Sequence, residues 1–493
     1  MEQCGETRGP PAKSGLNYRR RANTLFSIVM TESRVECVML AALLHDVGHY
    51  PLAHDLEEAY FTAFDHEARS IKLLLNHPGL RAVITSTEDQ GWNSSPENVA
   101  SIIAGHPLSG SSIKGMICEL LHSIISGPID ADKLDYLRRD SAHLNVAAGQ
   151  GIDIDRVISS LTTAVVLDDK SSLVLRMAVR AKGRRPTELV GRIRSHMFGV
   201  AYWHHSYRSI KAMIHWITWA AMEHTARLGG RSSSTPLKLS SALFKVLDDA
   251  VMNMEPQPEL FGMKRIFGDE NVLPRAEGEI LSWLAERGGT EASELFDLLS
   301  RHLWFRSILT IEHPKQQEVH GDAAGISHSE IMWNGMDTIY KLSEDKRWRV
   351  RMNVARRVQT EILDWIRPQT EGLCGTVVFD FKNMRDRLLA AGKRRRLFLV
   401  DGPDPSRAFQ KPLYYTRVQL RQSTSVDAVA AIPAVRSFDD KELADEFVVT
   451  NGAIRLLCHP EFDSFIVQAI PNEVLRDLLT IALRDQANGL LGR

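Results

Sequence analysis

The apolar run Val38-Met39-Leu40-Ala41-Ala42-Leu43-Leu44 passes directly into His45-Asp46-Val47-Gly48-His49-Tyr50-Pro51-Leu52-Ala53-His54. Three imidazoles and a carboxylate therefore follow a helix whose composition suits burial. That order predicts a metal site at the end of a core helix. Neighbouring imidazole and carboxylate groups can share one divalent ion, and nitrogen with oxygen donors suits manganese, magnesium, iron or zinc. The alternative is a capped helix whose histidines make ordinary hydrogen bonds.

A second string, Gly127-Pro128-Ile129-Asp130-Ala131-Asp132-Lys133-Leu134-Asp135-Tyr136-Leu137-Arg138-Arg139-Asp140, adds acids and a lysine. On a helix beginning near Ile129, Asp132, Tyr136 and Asp140 are four residues apart and share one face. Asp132 can then join His45 and Asp46 on the metal. Lys133 starts a neighbouring stripe that could reach a phosphate, while Tyr136 and Asp140 could grip something larger beside the ion. A charged, solvated helix face is the competing reading.

Together these strings resemble the HD superfamily of metal-dependent phosphohydrolases. HDVGHYPLAH and DADKLDYLRRDSAHL are similar to its deoxynucleoside triphosphate triphosphohydrolase branch, which includes bacterial dGTPases and the vertebrate SAM-and-HD-domain dNTPase. Glu188 to Arg208, ELVGRIRSHMFGVAYWHHSYR, is similar to the family segment that supplies an Arg and a Tyr to the nucleotide pocket. The likeness runs from about Leu16 to Met213. It implies that His45, Asp46 and Asp132 are metal ligands. It further implies that His49, Glu57 and His66 line the phosphate site and that His54 gives a proton to the leaving 5′ oxygen. Lys133, Tyr136 and Asp140 would hold phosphate and sugar, and Arg194, Tyr202 and His204 would complete the pocket. The implied reaction is metal-dependent hydrolysis of deoxynucleoside triphosphates to deoxynucleoside and inorganic triphosphate. Histidine suits the proton transfer near neutral pH, and cationic side chains offset the triphosphate charge.

One family feature is missing. The family places a further histidine in an Arg-x-x-His string on an earlier helix, whereas no histidine precedes His45. Met1 to Gly15 carries two prolines and three glycines, which do not make that helix. The expectation is a truncated or replaced first segment, with solvent filling a fourth ligand position and weaker metal affinity. This keeps open a second reading, a nucleotide-binding or regulatory HD protein with weakened turnover. An HD phosphatase or phosphodiesterase acting on monophosphates or cyclic nucleotides is the third.

A chain of 493 residues with 44% hydrophobic content can bury a large core. No apolar run approaches the roughly 20 residues of a membrane helix, and the opening residues lack the apolar stretch of a secretory signal. A cytoplasmic protein with no membrane partner is expected. Cys4, Cys37, Cys118, Cys374 and Cys458 are scattered, which argues against a disulfide scaffold or zinc knuckle. A net charge of −1 gives no overall attraction to nucleic acid. Local basic runs at Arg19-Arg20-Arg21, Arg180 to Arg185 and Lys393-Arg394-Arg395-Arg396 read as solvated faces or as contacts for single-stranded nucleic acid or a nucleotide effector. A homo-oligomer is expected by analogy alone.

The fold expected is mostly α, an HD-domain helical core with a small C-terminal α+β domain. Its divisions are an HD core over residues 1–228, a helical extension over 229–368 and the α+β domain over 369–493. Apolar periodicity predicts helices over Val35–Leu44, Ala68–Leu75, Ser112–Ile125, Thr187–Trp219, Leu237–Met254, Glu277–Leu309 and Ile331–Trp365. Strands are expected at Thr376–Phe381, Leu397–Val400 and Tyr414–Leu420. A hairpin is expected to turn at Asn451-Gly452, and a closing helix to span Pro471–Leu483. The last region carries no catalytic string; it serves as a covering lobe, an oligomer contact or a regulatory element.

Overall fold

A computed structural model describes residues 30–60, 64–86, 92–167, 173–228, 272–316, 323–370, 380–402, 414–416, 435–437, 449 and 451–491. The chain is mostly α. Its first elements are α1 (Glu32–Leu44), α2 (Ala53–Ala59), α3 (His66–Asn76), α4 (Pro78–Thr85), α5 (Pro96–Ala104), α6 (Gly115–Ile125), α7 (Ala131–His143) and α8 (Ile154–Ser160). There follow β1 (Leu161–Leu167), β2 (Leu173–Arg180), α9 (Arg184–Met197), a π turn at Phe198–Tyr202, α10 (His205–Leu228), α11 (Val272–Gly288), α12 (Thr290–Ser300) and β3 (Arg306–Glu312). The chain continues through α13 (Ala323–Tyr340), α14 (Glu344–Ile366), α15 (Phe381–Gly392), β4 (Phe398–Asp401), β5 (Tyr414–Thr416), β6 (Val435–Ser437), β7 (Ala453–Cys458), α16 (Asp463–Ala469) and α17 (Asn472–Leu491). Among the described residues no helix is long and apolar enough to cross a membrane.

The chain divides into two units that interleave along the sequence. The first holds Met1–His45, Ile71–Arg194 and Lys411–Asp440. Its helices start where side chains take up the orphan amide groups of the first turn. Thr31 accepts from the Arg34 amide, Ser95 from Asn98, and Asp130 from Lys133. Pro96 follows the Ser95 cap, and Gly105 closes α5 at φ 74°, a conformation glycine takes without strain. The core gathers Cys37, Val38, Leu40 and Ala41 of α1 with Val99, Ile102 and Ile103 of α5 and Leu121 and Ile125 of α6. Burial at about 1.5–3 kcal/mol per large apolar side chain outweighs the few tenths that helix propensity contributes at each position. A four-stranded sheet runs β1-β2-β5-β6. β1 and β2 pair antiparallel from Leu161↔Val179 to Leu167↔Leu173, β2 runs parallel to β5, and β5 antiparallel to β6.

The second unit holds Asp46–Ser70, Ser195–Gln410 and Lys441–Arg493. One core cluster surrounds α10, where Met213, Trp216, Ile217 and Ala221 meet Leu56, Tyr60, Leu284, Leu295 and Trp348. Another joins α13, α14, α16 and α17 to a three-stranded antiparallel sheet in the order β3-β7-β4. Every residue of β7 is buried, as befits the central strand.

The mostly helical reading before residue 368 holds, with departures at several places. β1 and β2 interrupt it, because the Thr- and Val-rich runs LTTAVVL and LVLRMAVR favour the pleated surface. Glu277–Leu309 breaks after Gly288, with Gly289 at φ 77°, and its end from Arg306 onward is strand β3. Thr187–Trp219 breaks at the π turn, and Ile331–Trp365 at Leu342-Ser343. The hairpin at Asn451-Gly452 is replaced by a helical turn at Asn451, with β7 bonded along both edges to β3 and β4. Those long-range ladders satisfy the strand more fully than a local turn. β4 and α17 coincide with the strand expected at Leu397–Val400 and the closing helix. Leu237–Met254, Thr376–Phe379, Arg19-Arg20-Arg21 and the opening residues lie outside the described residues.

Candidate functional site

The His45-Asp46 string begins where α1 ends. His45 caps the helix at φ −60°, its amide donating to Ala41 O at 2.9 Å and its ring Nδ1 to Ala42 O at 3.0 Å. Nδ1–H must be the donor toward a carbonyl, so Nε2 is the nitrogen that could ligate an ion. Donor atoms of His45 and of Asp132, both in the first unit, lie within 4.8 Å of one another. Asp46 is the next residue after His45.

Gly48 is required by close approach. A Cβ there would stand 2.2 Å from His66 O and 2.5 Å from the Ser70 amide nitrogen, while the Gly48 amide donates to Ser70 Oγ at 2.8 Å. Arg69 closes the same turn, donating to Gly48 O at 2.8 Å with its guanidinium 3.8 Å from the Tyr50 ring centroid. Gly48→Ala is therefore expected to lower stability by about 1–3 kcal/mol through backbone displacement, measured by chemical denaturation, and to separate His49 from His66. After Pro51 the chain turns through Leu52 at φ 72° and Ala53 at φ 37°. Left-handed backbone at two residues bearing Cβ atoms is strained, and such strain concentrates at functional sites. It launches α2 with His54 and Glu57 one turn apart.

Four side chains then converge. The Glu57 carboxylate is 3% exposed; Oε2 accepts from His54 Nδ1 at 2.7 Å, and Oε1 from the His66 amide at 3.1 Å and from His66 Nδ1. The His49 ring stacks on His66 at 3.9 Å between centroids and 11° between planes. Asp46 Oδ1 lies 3.5 Å from both His49 Nδ1 and His66 Nε2. Burial alone would raise Glu57, but the His54 and His66 hydrogen bonds hold it well below the usual carboxylate range. Burial alone would lower His66, yet the Glu57 hydrogen bond and charge, with Asp46, raise it. Burial and the neighbouring His66 charge bring His49 down to about 4, against the pull of Asp46. The Glu57 carboxylate and Asp46 thus favour the charged form of His66, while the neighbouring His66 charge disfavours it in the stacked His49 ring, since two stacked cations would repel.

His49 Nε2 is buried with no hydrogen-bond partner, the state expected of a nitrogen built to meet a ligand. His49, His54, Glu57 and His66 offer donor atoms within 4.8 Å of one another, a set able to hold a divalent ion. His54, 61% exposed, holds Nδ1 on Glu57 and so turns Nε2 outward.

On α7, Asp130 rather than Ile129 sets the helix start, and Asp132, Tyr136 and Asp140 lie on one helical stripe. Lys133 Nζ donates to Gly127 O at 2.9 Å and to Asp130 at 2.5 Å. Tyr136 is hydrogen-bonded with Arg194; burial holds its phenol above the usual range against that guanidinium. Two residues separated by more than fifty positions are thereby brought together. In the second unit, Tyr202 ends the π turn with its ring 5.1 Å from Phe198. His204 is exposed, its ring 4.1 Å from that of His205. Short π segments are frequent at functional sites; nothing in the residue types announces this one. Of the basic runs, Arg395 pairs with Glu294 and Glu461, and Arg396 with Glu291.

Residues 16–138 match the model of the HD domain family. The chain contains an HD domain. The match spans α1, which ends at the His45-Asp46 pair, and reaches into α7, which carries Asp132. An uncharacterized protein of Methanocaldococcus jannaschii is 31% identical over 180 residues, 36% of this chain and 33% of that protein. The uncharacterized YwfO of Bacillus subtilis is 32% identical over 127 residues, and a putative HD domain-containing protein of Acanthamoeba polyphaga mimivirus 33% identical over 131, each across 26% of the relative. The matched part of this chain spans a third or less of these relatives. A solved phosphohydrolase from Bacteroides thetaiotaomicron covers 90% of the chain and 83% of its own at 18% identity and a TM-score of 0.45.

Proposed function

We propose that the HD domain hydrolyses deoxynucleoside triphosphates to deoxynucleoside and inorganic triphosphate, with His45, Asp46 and Asp132 holding a divalent ion. The observation that carries this reading is the buried Glu57 carboxylate shared by His54 and His66. A carboxylate behind an exposed imidazole orients it as a proton donor. When bound, the ion supplies Lewis acidity toward a phosphoryl oxygen and favours attack by water at phosphorus.

The chain's own groups then have distinct tasks. His54, held through Nδ1, gives a proton from Nε2 to the departing 5′ oxygen. Glu57 fixes that ring and keeps His66 charged, and His66 faces the phosphate as a cation. His49 stays neutral and offers Nε2 to a phosphoryl oxygen as donor. Lys133 and Arg194 offset the triphosphate charge, and Tyr136, Asp140, Tyr202 and His204 hold the sugar and phosphates. The strings DKLDY and AYWHH favour a triphosphate over a monophosphate or cyclic nucleotide, and the Tyr136–Arg194 contact supports that reading.

The test is incubation with manganese or magnesium and each deoxynucleoside triphosphate, with products separated by ion exchange. Metal-dependent release of deoxynucleoside with triphosphate is expected. No turnover, with dGTP still raising the melting temperature, would select the nucleotide-binding reading instead.

A further inference from the structure

Asp55 and Glu58 lie one turn apart on α2, on a side of the helix distinct from His54 and Glu57. Both are sheltered, Asp55 at 8% and the Glu58 side chain at 13% exposure. Buried carboxylates need partners, and here α10 provides them. Lys211 Nζ lies 3.0 Å from Asp55 and 2.8 Å from Glu58. The Tyr207 hydroxyl donates to Asp55 at 2.8 Å, and Arg208 Nη1 lies 3.4 Å from Glu58. The Trp219 indole donates to Ala59 O, in the last turn of α2, at 2.9 Å. Tyr207, Lys211, His215 and Trp219 are four residues apart, so α10 presents them as one ridge. Arg208 anchors that ridge to β4 through two hydrogen bonds to Asp401, at 2.8 and 2.5 Å.

A helix of seven residues entered through two left-handed residues does not hold its own orientation. Its polar handles are what α10 grips. We propose that Lys211 is a positioning residue: by bridging Asp55 and Glu58 it fixes the rotation of α2 about its axis, and so decides whether Glu57 meets His54 and His66 together. Only the catalytic consequence rests on the phosphohydrolase reading; the positioning itself is a property of the metal-free protein.

The experiment records ring ¹⁵N–¹H correlations of His54 and His66 at fixed pH without metal or substrate, assigned with His54→Gln and His66→Gln. In Lys211→Met both signals are expected to move, and in Lys211→Arg to return to their native positions. The control is Arg356→Met, which breaks the Arg356–Glu223 pair on the same α10 at 3.1 and 2.5 Å. It should lower the melting temperature and leave both signals in place. With substrate, kcat of Lys211→Met should fall by roughly 10²-fold, the cost of misplacing reacting groups by about 1 Å, while KM holds. Native signals in a destabilised Lys211→Met, or equal movement in Arg356→Met, would overturn the proposal. Should Lys211→Met not fold, Lys211→Gln, which removes the charge and shortens the side chain that bridges Asp55 and Glu58 while keeping a polar head, is the second variant, and unmoved signals there count equally against it. Moved signals in a protein inert toward every deoxynucleoside triphosphate would reject the hydrolase reading and retain the positioning role.

Discussion

Asp132→Ala is expected to abolish turnover and bound metal while leaving the fold in place. Asp132 lies in the first turn of α7, whose start is already secured by the Asp130 side chain on the Lys133 amide. Losing an acid there costs its interaction with the helix dipole, about 0.3–1 kcal/mol. The effect on metal is far larger. Outer partners of ligands change affinity by about 10–100-fold, so removing a ligand should exceed about 100-fold. Metal content by mass spectrometry after gel filtration, the melting temperature and the rate of deoxynucleoside release together check this. Turnover surviving in a metal-replete variant would remove Asp132 from the centre.

Glu57→Gln should lower kcat by about 10²–10⁴-fold, the range that positioned acid–base groups contribute, with KM little changed. The substitution keeps the shape of the side chain. It replaces an oxygen that accepts from an imidazole with an amide that donates, so Glu57 can no longer serve both His54 Nδ1 at 2.7 Å and His66. His66 loses the partner that raises it, and His54 loses the bond that fixes its outward nitrogen. Steady-state kinetics on a variant with native circular dichroism decide the matter. A fall of less than about tenfold would mean that the Glu57–His54 pair does not carry the proton transfer.

The ends of α1 and α7 were legible because local rules govern them. An apolar run stopping at His45-Asp46 and an aspartate ahead of the Lys133 amide are one-turn signals. The mostly helical class followed from the same periodicity. The Glu57–His66 pair could be named by resemblance, but the sharing of one buried carboxylate between His54 and His66 arises from the left-handed turn at Leu52-Ala53, which ordinary residues rarely adopt and no spacing announces. No local pattern pairs Asp55 and Glu58 with residues of α10, since those partners lie some 150 residues away in sequence. The β1–β2 hairpin and β3 were passed over because short β-branched runs between helices look like helical continuations until a partner strand is found. The Asn451 turn shows the converse, a strong local signal overridden by the ladders that β3 and β4 offer β7.

In the proposed reaction water displaces the nucleoside 5′ oxygen at the α-phosphorus, with a divalent ion held by His45, Asp46 and Asp132. Hydrolysis in ¹⁸O-enriched water, followed by mass analysis of both products, tests it directly. One ¹⁸O atom is expected in inorganic triphosphate and none in the deoxynucleoside, because the P–O5′ bond is the one that breaks. Label appearing in a deoxynucleoside monophosphate or in pyrophosphate, or in the deoxynucleoside itself, would contradict it.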